Sequence, residues 1–519
     1  MIKTNHQLTL LLGLLLALSF TGIAPLAAQT TIGEFQPVFE ATLTAFGALI
    51  DFSQPVALTP LPAAGSVAGP GADSAADSGA LVATLQPPYG LSELLTLAIE
   101  NSPAILAVRS QVQAATADLR AAEGRRWPSF DVETSGSLIG NPLGPISIRA
   151  GQLGIIGGVA VPTQDMLIYS GMENTYYKFG ITGSLPVFTW GKLTLGIDVA
   201  RRGVAIAALQ YRKAIHEARL QVRGNFDSLA YIMEAIAVTE LNRRVGARLN
   251  EIAERSAVVG FLTATDVYTI RIQLKEIDIA LARLEEQRDR LLSDLARLTG
   301  LAGLSAGDLN LEVQGAGQSR WDEARTGQLM LAGSFDLLSL RLLVEVRDGM
   351  RQLAARQAQG LPDIGLQVEL SYAGPRFPFL EIDWFRQDDY QLTISLGTSG
   401  GVFGNPVRAG EAARAVAEYD ETVQRSREAE RSVRSFLRET FLAIDLQRIR
   451  LEFFQLQQQA WLAELRLKQL AIQAGAGDET EYLRQLMECL GKLAEGYGSL
   501  AEYRGSLLKL EGAVGLAAE

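Results

Sequence analysis

Two hydrophobic rhythms share this chain. One has the period of a helix and persists far longer than a globular domain needs; the other has the period of a strand and comes in short segments. From Lys192 a proline-free run of roughly 65 residues, about 100 Å long if helical throughout, leads to Val259-Gly260-Phe261-Leu262. It then resumes at Thr263 and continues to Gly300. Val222, Phe226, Leu229, Met233 and Ile236, then Leu241, Val245, Leu249 and Ile252, recur at helical spacing. Gly260 supplies a left-handed stop, and Thr263 with Asp266 three residues on forms a capping-box pattern that restarts the helix. The pattern predicts a helical hairpin. Because ordinary helices run three or four turns, its length itself asks for a function.

The second rhythm predicts four strands, near 129–139, 175–187, 364–373 and 389–397. Phe130, Val132 and Thr134 alternate with Asp131, Glu133 and Ser135, while Ile364, Leu366, Val368, Leu370 and Tyr372 alternate with polar or glycine positions. Tyr177, Phe179 and Ile181, and Tyr390, Leu392, Ile394 and Leu396, follow the same beat. On its own this describes a half-buried sheet of a soluble domain, and it equally suits tilted membrane strands with lipid on one face and a lumen on the other. Trp127, Tyr176, Tyr177, Phe377, Phe379, Trp384 and Phe385 cluster near the strand ends, where an interfacial aromatic girdle would sit.

Internal repetition organises both rhythms. Val187-Phe188 recurs as Val402-Phe403, Gly260 as Gly475, Thr265 as Thr480, and Gly300-Leu301 as Gly515-Leu516, all at one offset, with Asp266 becoming Glu481. The chain divides into a first repeat at 91–300, an inter-repeat linker at 301–334 and a second repeat at 335–516. Each repeat reads as helix, strand, loop, strand, long helix, turn, long helix, with the first-half loop (139–174) longer and rich in glycine and isoleucine. The first helix is expected to run unbroken from Leu91 to Glu123.

Ahead of the repeats, residues 1–28 read as a secretory signal: Lys3, an apolar centre from Leu8 to Phe20, then Pro25-Leu26-Ala27-Ala28. No cysteine follows for a lipid anchor, and no later apolar run reaches the length of a membrane helix. Residues 29–90, rich in Ala, Pro, Gly and Ser, read as a mostly flexible extension with one short helix between Phe35 and Phe52. The net charge of −11 argues against a nucleic-acid partner. A single cysteine, Cys489, and two histidines, His6 and His216, leave little material for a metal site, cofactor chemistry or a catalytic triad, and none is expected. Gly397-Thr398-Ser399-Gly400-Gly401 fits a hydrolase elbow, but the only histidine in the repeats, His216, lies deep in a long helix. His216 is expected on a helix surface and Cys489 in packing.

Four strands cannot close a barrel, and lipid does not tolerate open strand edges. Hairpins about 100 Å long must also pack beside neighbours to bury a narrow apolar stripe. Both arguments require a ring of several chains with a polar, water-filled interior.

The run Gly260-Phe261-Leu262-Thr263-Ala264-Thr265-Asp266-Val267, ending in Leu298-Thr299-Gly300, resembles the hairpin signature of TolC-type outer-membrane efflux proteins. Leu91-Ser92-Glu93-Leu94-Leu95 through Asn101-Pro103 and Leu185-Pro186-Val187-Phe188 are similar to that family too. The resemblance implies a mainly α fold with β: long helical hairpins forming an α-barrel, plus four strands per chain in a shared trimeric transmembrane β-barrel. It implies a homotrimer in outer-membrane lipid extending into the periplasm, an exit duct for an efflux pump or type I secretion system. Such a duct is joined to its inner-membrane pump through a periplasmic adaptor. The hairpin tips, Gly260, Phe261, Leu262, Gly475 and Ala476, are expected to meet that adaptor, unless Phe261 and Leu262 tuck back over their turn. The family's periplasmic gate is lined by acidic residues after the second turn. Glu481 falls on the first such position, Arg484 departs from the pattern on the second, and Asp266 is the first-repeat counterpart of Glu481. A competing reading makes Asp478 and Glu481 a capping box alone. The other function class, a trimeric structural or adhesive coiled-coil protein on a barrel anchor, would place its strands in one terminal block rather than inside both repeats.

Overall fold

A computed structural model describes residues 32–52, 87–171, 173–317, 321–375, 377, 390–399, 406–474 and 477–515. The signal segment therefore lies outside the described residues, as do Gly475, Ala476, Phe379, Trp384 and Phe385. The helices are α1 (Ile32–Leu49), α2 (Leu91–Asn101), α3 (Pro103–Gly124), α4 (Lys192–Val259), α5 (Ala264–Thr299), α6 (Glu323–Gly333), α7 (Phe335–Ala358), α8 (Pro406–Gln473) and α9 (Glu479–Val514). The strands are β1 (Ser129–Leu138), β2 (Ile146–Ile148), β3 (Ile155–Ile156), β4 (Val159–Ala160), β5 (Met166–Tyr169), β6 (Thr175–Phe188), β7 (Asp363–Gly374) and β8 (Tyr390–Ser399). The long helices have 68 and 36 residues in both repeats.

The expected unbroken first helix is two. Pro103 offers no N–H and pushes Ser102 into an extended conformation (ψ 119°), so α2 and α3 meet at a 46° bend. The second repeat breaks at the corresponding place, at Ser334 (ψ 124°) between α6 and α7. Helix α6 lies inside the segment read as linker and answers to α2, each having 11 residues. Among the described residues no single helix is long and apolar enough to cross a membrane.

Strands β1, β6, β7 and β8 form one antiparallel sheet in that order, so β6 and β7 join the repeats. The register resolves the alternation into rows. Phe130, Gly183, Val368 and Ile394 line up across the sheet, as do Val132, Ile181, Leu370 and Leu392. Between them run Ser129, Ser184, Gln367 and Ser395, then Asp131, Thr182, Glu369 and Thr393. Because paired residues share a face, one face is apolar and the other carries carboxylates and hydroxyls. Phe130 and Ile394 are 70% and 67% exposed, so nothing among the described residues covers the apolar face.

The helical layer has the matching order α5, α4, α9, α8: α4 packs against both return helices, and α9 against both long helices. The inter-repeat linker crosses this layer as a strap. Leu309 bridges Tyr89, the Tyr231 hydroxyl donates to the Gln314 carbonyl (2.7 Å), and Ala316 N–H donates to the Leu49 carbonyl (2.6 Å).

Part of the presumed flexible extension is thus core. Helix α1 drives Phe39, Leu43, Phe46 and Ile50 into the second hairpin, where the Gln455 amide donates to the Ile50 carbonyl at 2.5 Å. Phe46 meets Tyr497 edge-on at 4.8 Å and lies so close to Gly496 that a Cβ there would fall 2.6 Å from the ring. An amphipathic stripe of four large apolar residues overrode the composition around it.

Candidate channel wall, hairpin tips and gate

At the helix end of the sheet, Trp190 (φ 56°) and Gly191 (φ 74°) turn β6 into α4. A left-handed tryptophan is costly, and the fold over-determines it. Its indole N–H donates to the Pro362 carbonyl at 2.9 Å, and Arg356 donates to its own carbonyl at 2.8 Å. Lys192 adds bonds to the Leu361 carbonyl and the Asp363 carboxylate (3.0 Å). The strand-to-helix elbow of one repeat is fastened to the helix-to-strand elbow of the other. Trp127, Phe188 and Trp190 gather at this end, while Tyr177 and Phe377 meet edge-on at 5.5 Å at the opposite end. Ten residues of strand separate them, a span that at the roughly 40° tilt of membrane barrel strands would measure about 25 Å, the height of a bilayer's apolar band.

The first hairpin tip is ordered by its own sequence. Gly260 (φ 89°) closes α4, and Phe261 N–H returns to the Ser256 carbonyl at 2.9 Å. The capping box is complete: Thr263 N–H and Oγ1 donate to Asp266 Oδ2 (2.9 and 2.7 Å), and Asp266 N–H donates to Thr263 Oγ1 (3.3 Å). These bonds from Thr263, helped by the charge of Arg484, hold the Asp266 carboxyl below its usual range. The two tip residues behave differently. Phe261 is 84% exposed, whereas Leu262 is half-buried against the hairpin core.

At the second tip Asp478 caps α9 through Thr480 N–H (2.9 Å). Glu481 takes no part in that cap. Its carboxylate accepts from Lys468 Nζ at 3.1 Å and from Arg484 Nη1 at 3.3 Å. Glu481, Arg484 and Asp266 are therefore electrostatically linked across the two hairpins, with Arg484 between two carboxylates.

Sequence reasoning missed the buried charges midway along the helices. Arg223, 2% exposed, donates to both carboxylate oxygens of Glu511 at 3.2 Å and lies 3.9 Å from Asp227. Burial pushes the Asp227 carboxyl above its usual range, against the pull of Arg504 and Arg223. Arg504 in turn donates to Gln314 of the strap. The visible signal was charge at core positions of a helical stripe. His216, expected on a helix surface, is buried against Phe335 (5.4 Å between rings), because α7 of the other repeat covers that face of α4. Cys489 is buried, as expected of a packing residue. Ser399 of the hydrolase-like motif ends β8, and Gly400 and Gly401 lie outside the described residues.

Comparison with known proteins agrees with this architecture. Residues 94–301 match the outer membrane efflux protein family. No curated protein matches the chain in sequence. The fold matches the Campylobacter jejuni CmeC outer membrane channel with a TM-score of 0.65 at 15% identity, covering 82% of this chain and 85% of that one. It matches the Vibrio cholerae outer membrane protein VceC with a TM-score of 0.62 at 16% identity (82% and 95% covered). The open state of the Neisseria gonorrhoeae MtrE outer membrane channel gives 0.62 at 13% (83% and 89% covered). Similarity to that family thus extends over residues 94–301, and the fold of the chain is that of the outer membrane channels compared above.

Proposed function

We propose that three copies of this chain close into a channel-tunnel, a twelve-stranded barrel in the outer membrane continued by an α-helical tunnel in the periplasm. In this reading it serves as the passive exit duct of a tripartite efflux pump or type I secretion system. One observation carries the ring: strands and helices leave the same two sides unpartnered. The sheet ends in β1 and β8, and the helical layer ends in α5 and α8. On α8, Leu442, Leu446, Ile449, Phe453 and Leu456 are exposed at alternating spacings of four and three, the seam of a coiled coil. On α5, Tyr268, Ile272 and Ile279 are exposed near the tip. Head-to-tail contact of α8 with the next α5, and of β8 with the next β1, buries both and closes if the rotation is right. The number three is supported by the family.

The adaptor belongs to the same reading. Phe261 beside Val258 and Val259 makes an exposed apolar tip, an anchor for a periplasmic partner's apolar side chains. Glu481, Arg484 and Asp266 line the tunnel's narrow end. Phe261→Asp with Leu262→Asp should abolish export while native mass spectrometry still finds trimers. Normal export by intact trimers of that variant would refute the tip contact, and a folded monomer of the unaltered protein would refute the ring.

A further inference from the structure

Beyond β1 the chain makes an ordered arm. Strand β2 pairs with β5 and β3 with β4, and between these pairs Gly151 N–H donates to the Pro162 carbonyl (2.9 Å) and Leu153 N–H to the Val161 carbonyl (3.0 Å). The Asp165 carboxylate accepts from Ala150 N–H at 2.8 Å. Ile146, Ile155, Ile156, Met166, Leu167 and Ile168 are each half or more exposed on this arm. Arg149 and Asp165 are the only charged residues between Ile146 and Tyr169. A two-stranded hairpin is marginal in water by itself, and so much exposed apolar surface marks a contact.

On the ring reading, lipid tails do not reach it. The sheet's apolar face ends at Leu138, one pair past the aromatic pair Tyr177 and Phe377, and Ile146 comes eight residues after Leu138. The arm therefore stands beyond the hydrocarbon, on the side of the membrane away from the hairpins. A barrel of twelve strands about 4.8 Å apart and tilted about 40° has a radius of about 12 Å. Fully extended, Ile146 to Gly157 would span about 35 Å at about 3.3 Å per residue. The turns between Arg149 and Gly154 shorten it, but half of that length already exceeds the radius. The arm is long enough to reach the axis. The arm also rises from β1, the edge strand that meets a neighbour in the ring.

We propose that the three arms pack on one another over the outer mouth of the barrel, forming an apolar cap that narrows the exit. The occupant of each arm's apolar surface is the same surface of a second copy. This inference rests on the ring reading above. The cap narrows the exit and can part for cargo driven through it, because its contacts are apolar and not covalent.

The test uses the full chain, reconstituted as purified. Ile156→Cys should link on mild oxidation, giving covalent dimers from up to two of every three chains. Native Cys489 does not compete, being buried with its thiol pushed up to about 12 by burial. Replacing 143–170 by a Gly-Ser turn, or Ile155 and Ile156 by Asp, should raise single-channel conductance in planar bilayers at least twofold with trimers intact by native mass spectrometry. Absence of trimers from the unaltered protein would overturn the ring and the cap together. Trimers without cross-links, and with conductance unchanged by either variant, would overturn the cap alone. So would quenching by brominated lipid of a fluorophore attached to the thiol of the Ile156→Cys variant, which would place the arm in the membrane.

Discussion

The two long hairpins have identical lengths and different surroundings. In the first, the 68-residue α4 is an inner helix, flanked by both return helices, and its buried set runs from Ile197 to Ala253. In the second, the 68-residue α8 is an outer helix. Leu437, Ile444, Leu451 and Leu465 recur at multiples of seven residues and face the interior, while Leu442, Leu446, Ile449, Phe453 and Leu456 form a second seam in water. Apolar residues on two faces mark a helix with two partners. The duplication kept length, which fixes the height of a wall, and let surface chemistry diverge. Divergence makes the two sides of the protomer different, as a head-to-tail ring requires. Charge follows the same division: the joint between the repeats holds the buried Arg223–Glu511 pair, and the outer seam of α8 is apolar.

The largest effect should come from the outer seam. Ile449→Glu with Phe453→Glu places two charges per chain where the ring requires apolar contact. Burying unpaired charge costs several kcal/mol, so native mass spectrometry should find no trimer, while circular dichroism still reports the helices, whose inner seam is untouched. Intact trimers from that variant would assign the seam to something other than a neighbouring copy.

Much of this comparison was legible in the sequence, for physical reasons. Strands that present one face to lipid must alternate strictly, and the four strand ranges read from that alternation fall within two residues of those observed. Gly260 and the Thr263–Asp266 box announce the first tip because their signals are local. What could not be read was set by distant partners. Ser102 looks like any helix residue until Pro103 is weighed, and His216 looks solvated until α7 covers it. Helix α1 was diluted by the proline- and alanine-rich sequence around it. Its apolar stripe gains meaning only beside Gly496, whose missing side chain admits Phe46. Glu481 matched a capping pattern, but Lys468 and Arg484, the first brought close by the hairpin fold, engage its carboxylate instead.

The inner joint should respond less than the outer seam. Glu511→Ala leaves Arg223 buried with Asp227 at 3.9 Å as its remaining counter-charge. Removing one partner of a buried pair costs about 3–5 kcal/mol, and the nearby Asp227 favours the lower end. Thermal unfolding in detergent should shift down accordingly. Arg223→Met with Glu511→Leu should recover most of the loss, since a matched apolar pair needs no desolvation of charge. If the double substitution were as unstable as the single, the pair would contribute more than mutual neutralisation.

The smallest effect is expected at the proposed gate. Threefold symmetry would bring three Glu481 carboxylates together, and a bare ring of that kind attracts cations and repels anions. Here each carboxylate is engaged by Lys468 at 3.1 Å and Arg484 at 3.3 Å, so three negative charges would sit among six positive ones. The field of the ring is offset before any ion arrives. Glu481→Gln should therefore change the cation-to-anion permeability ratio by less than about twofold in planar-bilayer recording. The cap is unaffected, because Asp478 supplies it through Thr480 N–H. Lys468→Gln with Arg484→Gln should move selectivity further, toward cations, by unmasking the same carboxylates. Loss of cation preference in Glu481→Gln, matched by no change in the double variant, would mean that the ring acts uncompensated and that the two cations face away from the ion path.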